Sequence, residues 1–316
     1  MKRFLALLSL IISLSILGIW NITTPETLPK DDTKWHAYKR KLFMKFLALK
    51  RDKYSNNHVP LCQHKIDVVF LCTEKNLPTI RHAIDAVKGL VMHPINKIYL
   101  ICPESEKLQE VAQEKGCEFV EETQAMPLLA RGNSSHIKRQ LIKLNADTIS
   151  TTNYFLVIEA DTILLQTQIF LREGKAVFNA FDRYTLSPKT IVESLLDLKK
   201  YYNLDFNGGY MFFDKSKLKA MKDRLESMHK KPWQDILNNP EITSEDFSEY
   251  EIYANFVLAF FPEEAAIVHG RNSQMPADRI SGIQWQRGFL SRKYKSLSFQ
   301  GLAFHYPHPL TTQSYN

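Results

Sequence analysis

Two carboxylates, Glu159 and Asp161, stand one residue apart in the run Asn-Tyr-Phe-Leu-Val-Ile-Glu-Ala-Asp-Thr-Ile-Leu-Leu, residues 153–165. Acids so placed can share a hard divalent cation and, through it, phosphate oxygens. On spacing alone, a strand followed by an acidic turn fits equally well. Position adds to the first reading. Tyr154–Ile158 is apolar, aromatic and β-branched, the pattern of a buried strand, and both acids lie at its carboxyl end. Open α/β sheets bind their ligands outside that end.

A second pair of acids, Glu249 and Glu251, falls in a helix expected over 244–260. On a helical wheel Glu249 shares the apolar face with Tyr253 and Phe256, where a carboxylate is costly unless it is paired or employed. It could serve as a general base toward a hydroxyl, or be a buried acid held by Lys or Arg. Asp246 is placed to cap that helix. Lys138, Arg139 and Lys143 precede the acidic strand on another expected helix. Arg139 and Lys143, four apart, share one surface, and a solvated helix face is the plain alternative.

The elements that must carry these groups alternate. Ile66–Cys72 opens as a strand, Pro78–Leu90 follows as a helix with Pro at its start, and Ile95–Cys102 is the second strand. A helix over Ser105–Lys115 ends at Gly116, then come a short strand from Cys117 and a helix from Ser134 or Ser135 to Ala146. This β-α-β-α-β-α-β order predicts an α/β domain with a mostly parallel sheet flanked by helices. In the second half, Ala176–Phe181 and Gly209–Phe213 read as strands, and 191–201, 215–228 and 244–260 as helices.

Charge bounds the partners. Residues 1–60 carry eleven of the 41 basic residues and four of the 34 acids, leaving 30 of each in 61–316. The whole excess therefore lies beside the amino terminus, which argues against a nucleic-acid-binding domain. Behind Lys2 and Arg3, Phe4–Trp20 is uncharged and apolar, with no small-residue cleavage site after it. It reads as an uncleaved single-pass anchor, residues 1–22, with the side of the membrane left open by the basic residues on both flanks. Residues 23–60 then form a basic stem. Within it Trp35, Tyr38, Leu42, Phe46 and Leu49 make an apolar helical stripe, for an anionic membrane or for the domain over 61–316. Cys62, Cys72, Cys102 and Cys117 form no CxxC pair and read as small core residues.

Three stretches together resemble the GT-A class of nucleotide-sugar glycosyltransferases, in particular the DUF6492-like, bacterial polysaccharide-type family. They are Ile66-Asp-Val-Val-Phe-Leu-Cys-Thr73, Leu156-Val-Ile-Glu-Ala-Asp161 (similar to the DxD metal motif, with Glu159 in place of its first Asp) and Phe206-Asn-Gly-Gly-Tyr-Met-Phe-Phe213. Lys138–Leu144 and Ser248–Tyr253 resemble the DUF6492-like group more closely. The resemblance implies a GT-A-like, Rossmann-like fold and a hexosyltransferase-like activity. The donor would be a nucleoside-diphosphate sugar, the acceptor a carbohydrate or lipid-linked hydroxyl, and the cofactor Mn²⁺ or Mg²⁺. It implies metal contacts from Asp161, Glu159 and a late histidine, His305 before His308. Thr73 and Glu74 would meet the base or ribose, and one of Lys138, Arg139 and Lys143 the diphosphate. Asn207, Gly208 and Gly209 would lie under the sugar. Two other readings stay open: a sugar-phosphate nucleotidyltransferase, although Thr73–Pro78 lacks glycine, and a membrane-tethered, non-catalytic binding module.

Overall fold

The computed structural model describes residues 33–49, 61–127, 135–181, 187–201, 204–239, 242 and 247–300. The predicted anchor and the histidines His305 and His308 lie outside these residues, as does Asp246. No described helix is long and apolar enough to cross a membrane. The chain divides into two compact units, Met1–Tyr38 and Lys39–Asn316.

Strands β1 (Ile66–Leu71), β2 (Ile95–Cys102), β3 (Glu118–Glu121), β4 (Tyr154–Glu159) and β8 (Tyr210–Asp214) form a five-stranded sheet in the order β3-β2-β1-β4-β8. The first four are parallel, and β8 runs antiparallel to β4. The alternating order of the first half thus folds as its periodicity dictates, while the second half departs from it. Strands β10 (Asn272–Pro276), β11 (Ser296–Gln300) and β5 (Thr162–Leu164) make one small mixed sheet; β6 (Leu171–Arg172), β7 (Lys175–Ala180) and β9 (Ala265–His269) make another. A two-residue corner, Ala160–Asp161, carries the chain from β4 in the large sheet to β5 in a small one. Short strands of three and two residues, the first paired only with distant β11, leave little periodicity to read.

The described α-helices of five residues or more are α1 (Thr33–Leu49), α2 (Leu77–Leu90), α3 (Glu106–Glu114), α4 (Ser135–Asn145), α5 (Ser187–Leu196), α6 (Lys215–His229), α7 (Trp233–Leu237), α8 (Glu249–Phe260) and α9 (Ile283–Leu290). Helix α8 begins five residues later than expected, because Ser248 caps it by accepting the Glu251 amide. Helix α1 does not seat the described part of its predicted stripe on the domain. Met44 and Leu47 are its core contacts, and the predicted stripe, Leu42, Phe46 and Leu49, faces solvent. Lys41 and Lys45 are exposed beside that stripe.

Buried polar groups pin one end of the large sheet. At the amino end, buried Asp67 accepts from Asn96 Nδ2, Ser150 Oγ and the amides of Lys97, Thr151 and Thr152. Burial raises its pKa, but these hydrogen bonds outweigh burial and hold the carboxyl below its usual range. Buried His93 is locked as a neutral tautomer: Nε2 accepts the Phe170 amide at 2.9 Å, so Nδ1–H donates to the His64 carbonyl at 3.2 Å. Burial brings its pKa down to about 4.

Because the unfolded chain binds this proton near pH 6.5 and the folded one only near 4, His93 favours folding most above pH 6.5 and loses that contribution as pH falls. The loss should reach about 2 kcal/mol at pH 5. Urea denaturation at pH 7.5 and 5.0 checks this: His93→Asn should flatten the pH dependence, and an unchanged slope would refute the assignment.

Candidate functional site

A cavity of about 400 Å³ opens at the carboxyl end of β4. Its floor is the corner between the two sheets, and three hydrogen bonds to the main chain fix that corner. Glu159 N–H donates to Gly209 O at 2.8 Å, and Phe299 N–H to Asp161 O at 3.0 Å. The Thr79 hydroxyl, on α2, donates to Ala160 O at 2.8 Å. The acids are therefore presented by backbone from three directions, not by a free turn.

One face of α4 forms a wall: His136, Arg139, Gln140 and Lys143 all line the cavity. They stand at i, i+3, i+4 and i+7, the spacing of a single helical stripe. Lys138 lies off the stripe and pairs with Glu122 at 3.0 Å instead. The buried Lys143 ammonium lies between two carboxylates, contacting Glu159 Oε1 and Glu249 Oε1, the latter at 2.8 Å. Burial alone would lower the Lys143 pKa; the charges of Glu159 and Glu249 reverse this and raise it. Burial likewise works to raise Glu159, but Lys143 and Arg139 hold its carboxyl below the usual range. Arg139 lies 3.9 Å from Glu159 Oε2 and donates to Leu71 O at 3.2 Å, at the end of β1. Tyr250 Oη donates to Glu159 Oε1 at 3.4 Å.

Asp161 differs. It lines the cavity and has no ion-pair partner among the described residues; its side chain accepts only a long hydrogen bond, 3.4 Å, from Thr162 Oγ1. Burial, then the charge of Glu159, push its carboxyl up to about 6. A carboxylate in that position gains by taking up a cation. Mg²⁺ and Mn²⁺ accept one or two carboxylates, with water and phosphate completing the shell. Asp161 fits such a site. Glu159 fits less well, since each of its oxygens already faces a cation. Among the described residues no group of three His, Cys, Asp or Glu side chains could hold a metal alone.

The opposite wall is Asn207, Gly209, Asn272, Gln274 and Ser298. Gly209 has φ +84° and its missing Cβ would lie 2.4 Å from Thr162 Oγ1, so a side chain there is excluded twice. A Cβ on Gly208 would fall 2.1 Å from the Phe181 ring. Asn272 Nδ2 donates to Gly208 O at 3.2 Å and Ser298 Oγ at 3.0 Å. The carbonyl can only accept, which fixes the amide and leaves Asn272 Oδ1 buried without a hydrogen-bond donor; Gln140 Oε1 is in the same state.

The other expected site residues sit apart from the cavity lining. Glu249 lies behind Lys143. Glu251 pairs with Lys200 at 2.8 Å and accepts the Phe206 amide at 2.6 Å, holding the strand entry at Asn207. Burial raises its pKa to about 7 in spite of Lys200. The Thr73 amide donates to Asn76 Oδ1, and it is Asn76 that reaches the cavity. Glu74 accepts from Ser105 at 2.8 Å and pairs with Lys107 at 3.1 Å on the surface. The sequence reading did not single out Asn76, His136, Gln140, Thr162, Asn272, Gln274 or Ser298. The stripe through Arg139 and Lys143 already pointed to His136 and Gln140. The β10 and β11 residues enter through a sheet that the sequence does not announce.

The molecule is thus a mixed α/β protein with a polar cavity where its parallel strands end. Residues 81–276 match the family of unknown function DUF6492, and the chain belongs to that family. No curated protein matches it in sequence. Solved structures with a similar chain path include glucosyl-3-phosphoglycerate synthase from Mycobacterium tuberculosis in complex with Mn²⁺, UDP and glucosyl-3-phosphoglycerate. That structure is 16% identical with a TM-score of 0.39, over 73% of this chain and 80% of that one. A second structure of the same synthase is 17% identical with a TM-score of 0.37, over 73% and 81%. These likenesses are distant and say nothing of residue roles.

Removing the Lys143 charge would leave Glu159 and Glu249 buried together. Lys143→Met is expected to cost about 3–5 kcal/mol in urea denaturation, and adding Glu249→Gln to recover part of it. A neutral single variant would show that the buried ammonium does not hold the site.

Proposed function

We propose that this protein is a divalent-cation-dependent glycosyltransferase, moving a sugar from a nucleoside diphosphate to an acceptor hydroxyl. One observation carries the reading: just past the end of β4, Asp161 is a cavity carboxylate without a cation partner among the described residues, in a cavity that Arg139 and Lys143 also line. Asp161 would hold the cation, which when bound neutralises charge developing on the departing diphosphate. Arg139, tied to the end of β1, is the side chain placed to meet phosphate oxygens.

The opposite wall suits a sugar. Asn207, Asn272, Gln274 and Ser298 carry amide and hydroxyl groups that can both donate to and accept from sugar hydroxyls. Of the two acids on α8, Glu249 positions Lys143 and Glu251 positions the 205–207 turn. We read the apolar run Phe4–Trp20 as the tether that keeps the enzyme at a membrane.

Calorimetry of UDP and GDP with Mn²⁺ tests this. Asp161→Asn should weaken the Mn²⁺-dependent part of nucleotide binding by roughly ten- to a hundredfold, with the circular dichroism and melting temperature kept. Unchanged affinity would sink the metal assignment. Mn²⁺-dependent binding without donor hydrolysis, for any nucleotide sugar, would leave a binding module in place of a transferase.

A further inference from the structure

The connection from β10 to β11, residues 277–295, presents a surface with no role in the cavity. Helix α9 is seated by Ile283, which is buried, and by half-buried Leu290. Trp285 and Phe289, four residues apart and on the side away from Ile283, are 91% and 75% exposed. Isolated exposed apolar residues are common, but the two largest side chains of a helix both turned outward are not.

Their surroundings are basic. Arg279, Arg287, Arg292 and Lys293 are exposed on the same connection, and Asp278 is the sole acid in 277–300. The fifth base, Lys295, is buried and donates to Asn179 Oδ1 at 3.2 Å. An exposed aromatic pair on a connection whose exposed charges are mostly positive would suit a protein groove only if that groove were acidic. An anionic lipid surface supplies both halves at once, headgroups for the cations and the acyl boundary for indole and phenyl rings.

We propose that the α9 connection docks on anionic lipid headgroups, with Trp285 and Phe289 entering the acyl boundary. This goes beyond the proposed activity and does not depend on it. The strands that this connection joins, β10 and β11, are the ones whose Asn272, Gln274 and Ser298 wall the cavity. Docking there would bring that wall to the lipid surface.

The test uses the full chain with vesicles of phosphatidylcholine, or of equal phosphatidylcholine and phosphatidylglycerol. Because Phe4–Trp20 can itself enter bilayers, the readout is confined to one residue: the fluorescence that Trp285→Phe removes. With anionic vesicles that difference emission should shift to the blue and be quenched by brominated acyl chains, and added salt should weaken it. Neutral vesicles should leave it unchanged. Arg287→Glu with Arg292→Glu should require roughly tenfold or more lipid for the same shift, while leaving the circular dichroism and melting temperature intact. An exposed emission maximum with anionic vesicles overturns the proposal. So does a blue shift that appears without lipid as protein concentration rises, which would make a second copy of the chain the occupant.

Discussion

One buried ammonium ties the molecule together where chemistry is expected. Lys143 reaches from α4 to the last residue of β4 and the first residue of α8, so three elements distant in sequence meet at one charge. Burying a cation costs more than a single carboxylate returns in such a place; two carboxylates, with Arg139 nearby, make the arrangement stable. The geometry of the acidic corner follows from it. Glu159 is held as an anion by its cations and is not free to move. Its charge, with burial, in turn perturbs Asp161, two residues on.

That asymmetry separates two acids which the sequence presents as a pair. Spacing shows only that they are neighbours. What distinguishes them is that β4 ends at Glu159 while Asp161 has already turned toward a second sheet, one residue inside the reach of Lys143 and the other beyond it. The result is one carboxylate committed to the fold and one left facing the cavity. The same division of labour recurs in α8, where Glu249 and Glu251 each neutralise a different buried lysine, Lys143 and Lys200.

Legibility followed the range of the interactions. The β1–α2–β2–α3–β3 run and the strand before the acids could be read because local periodicity, a Pro at a helix start and a Ser cap all agree with the tertiary fold. The acids, Arg139, Lys143, Asn207 and Gly209 were likewise visible as residue types in suggestive places. Asn272, Gln274 and Ser298 were not, since nothing in 272–300 announces that β11 will pair with the three-residue β5 more than 130 residues earlier. The orientation of α1 stayed open in the sequence for a related reason. Its sequence contains two apolar stripes, Leu42–Phe46–Leu49 and Met44–Leu47, and only the shape of the receiving surface decides between them.

The seat of that helix has a further consequence. Met44 and Leu47 belong to the same core cluster as β1 and β2, so the second half of α1 contributes to the interior of the domain. A protease cutting between α1 and β1 would therefore free Met44 and Leu47 to leave the hydrophobic interior, and the cut domain would lose the stability that their burial contributes.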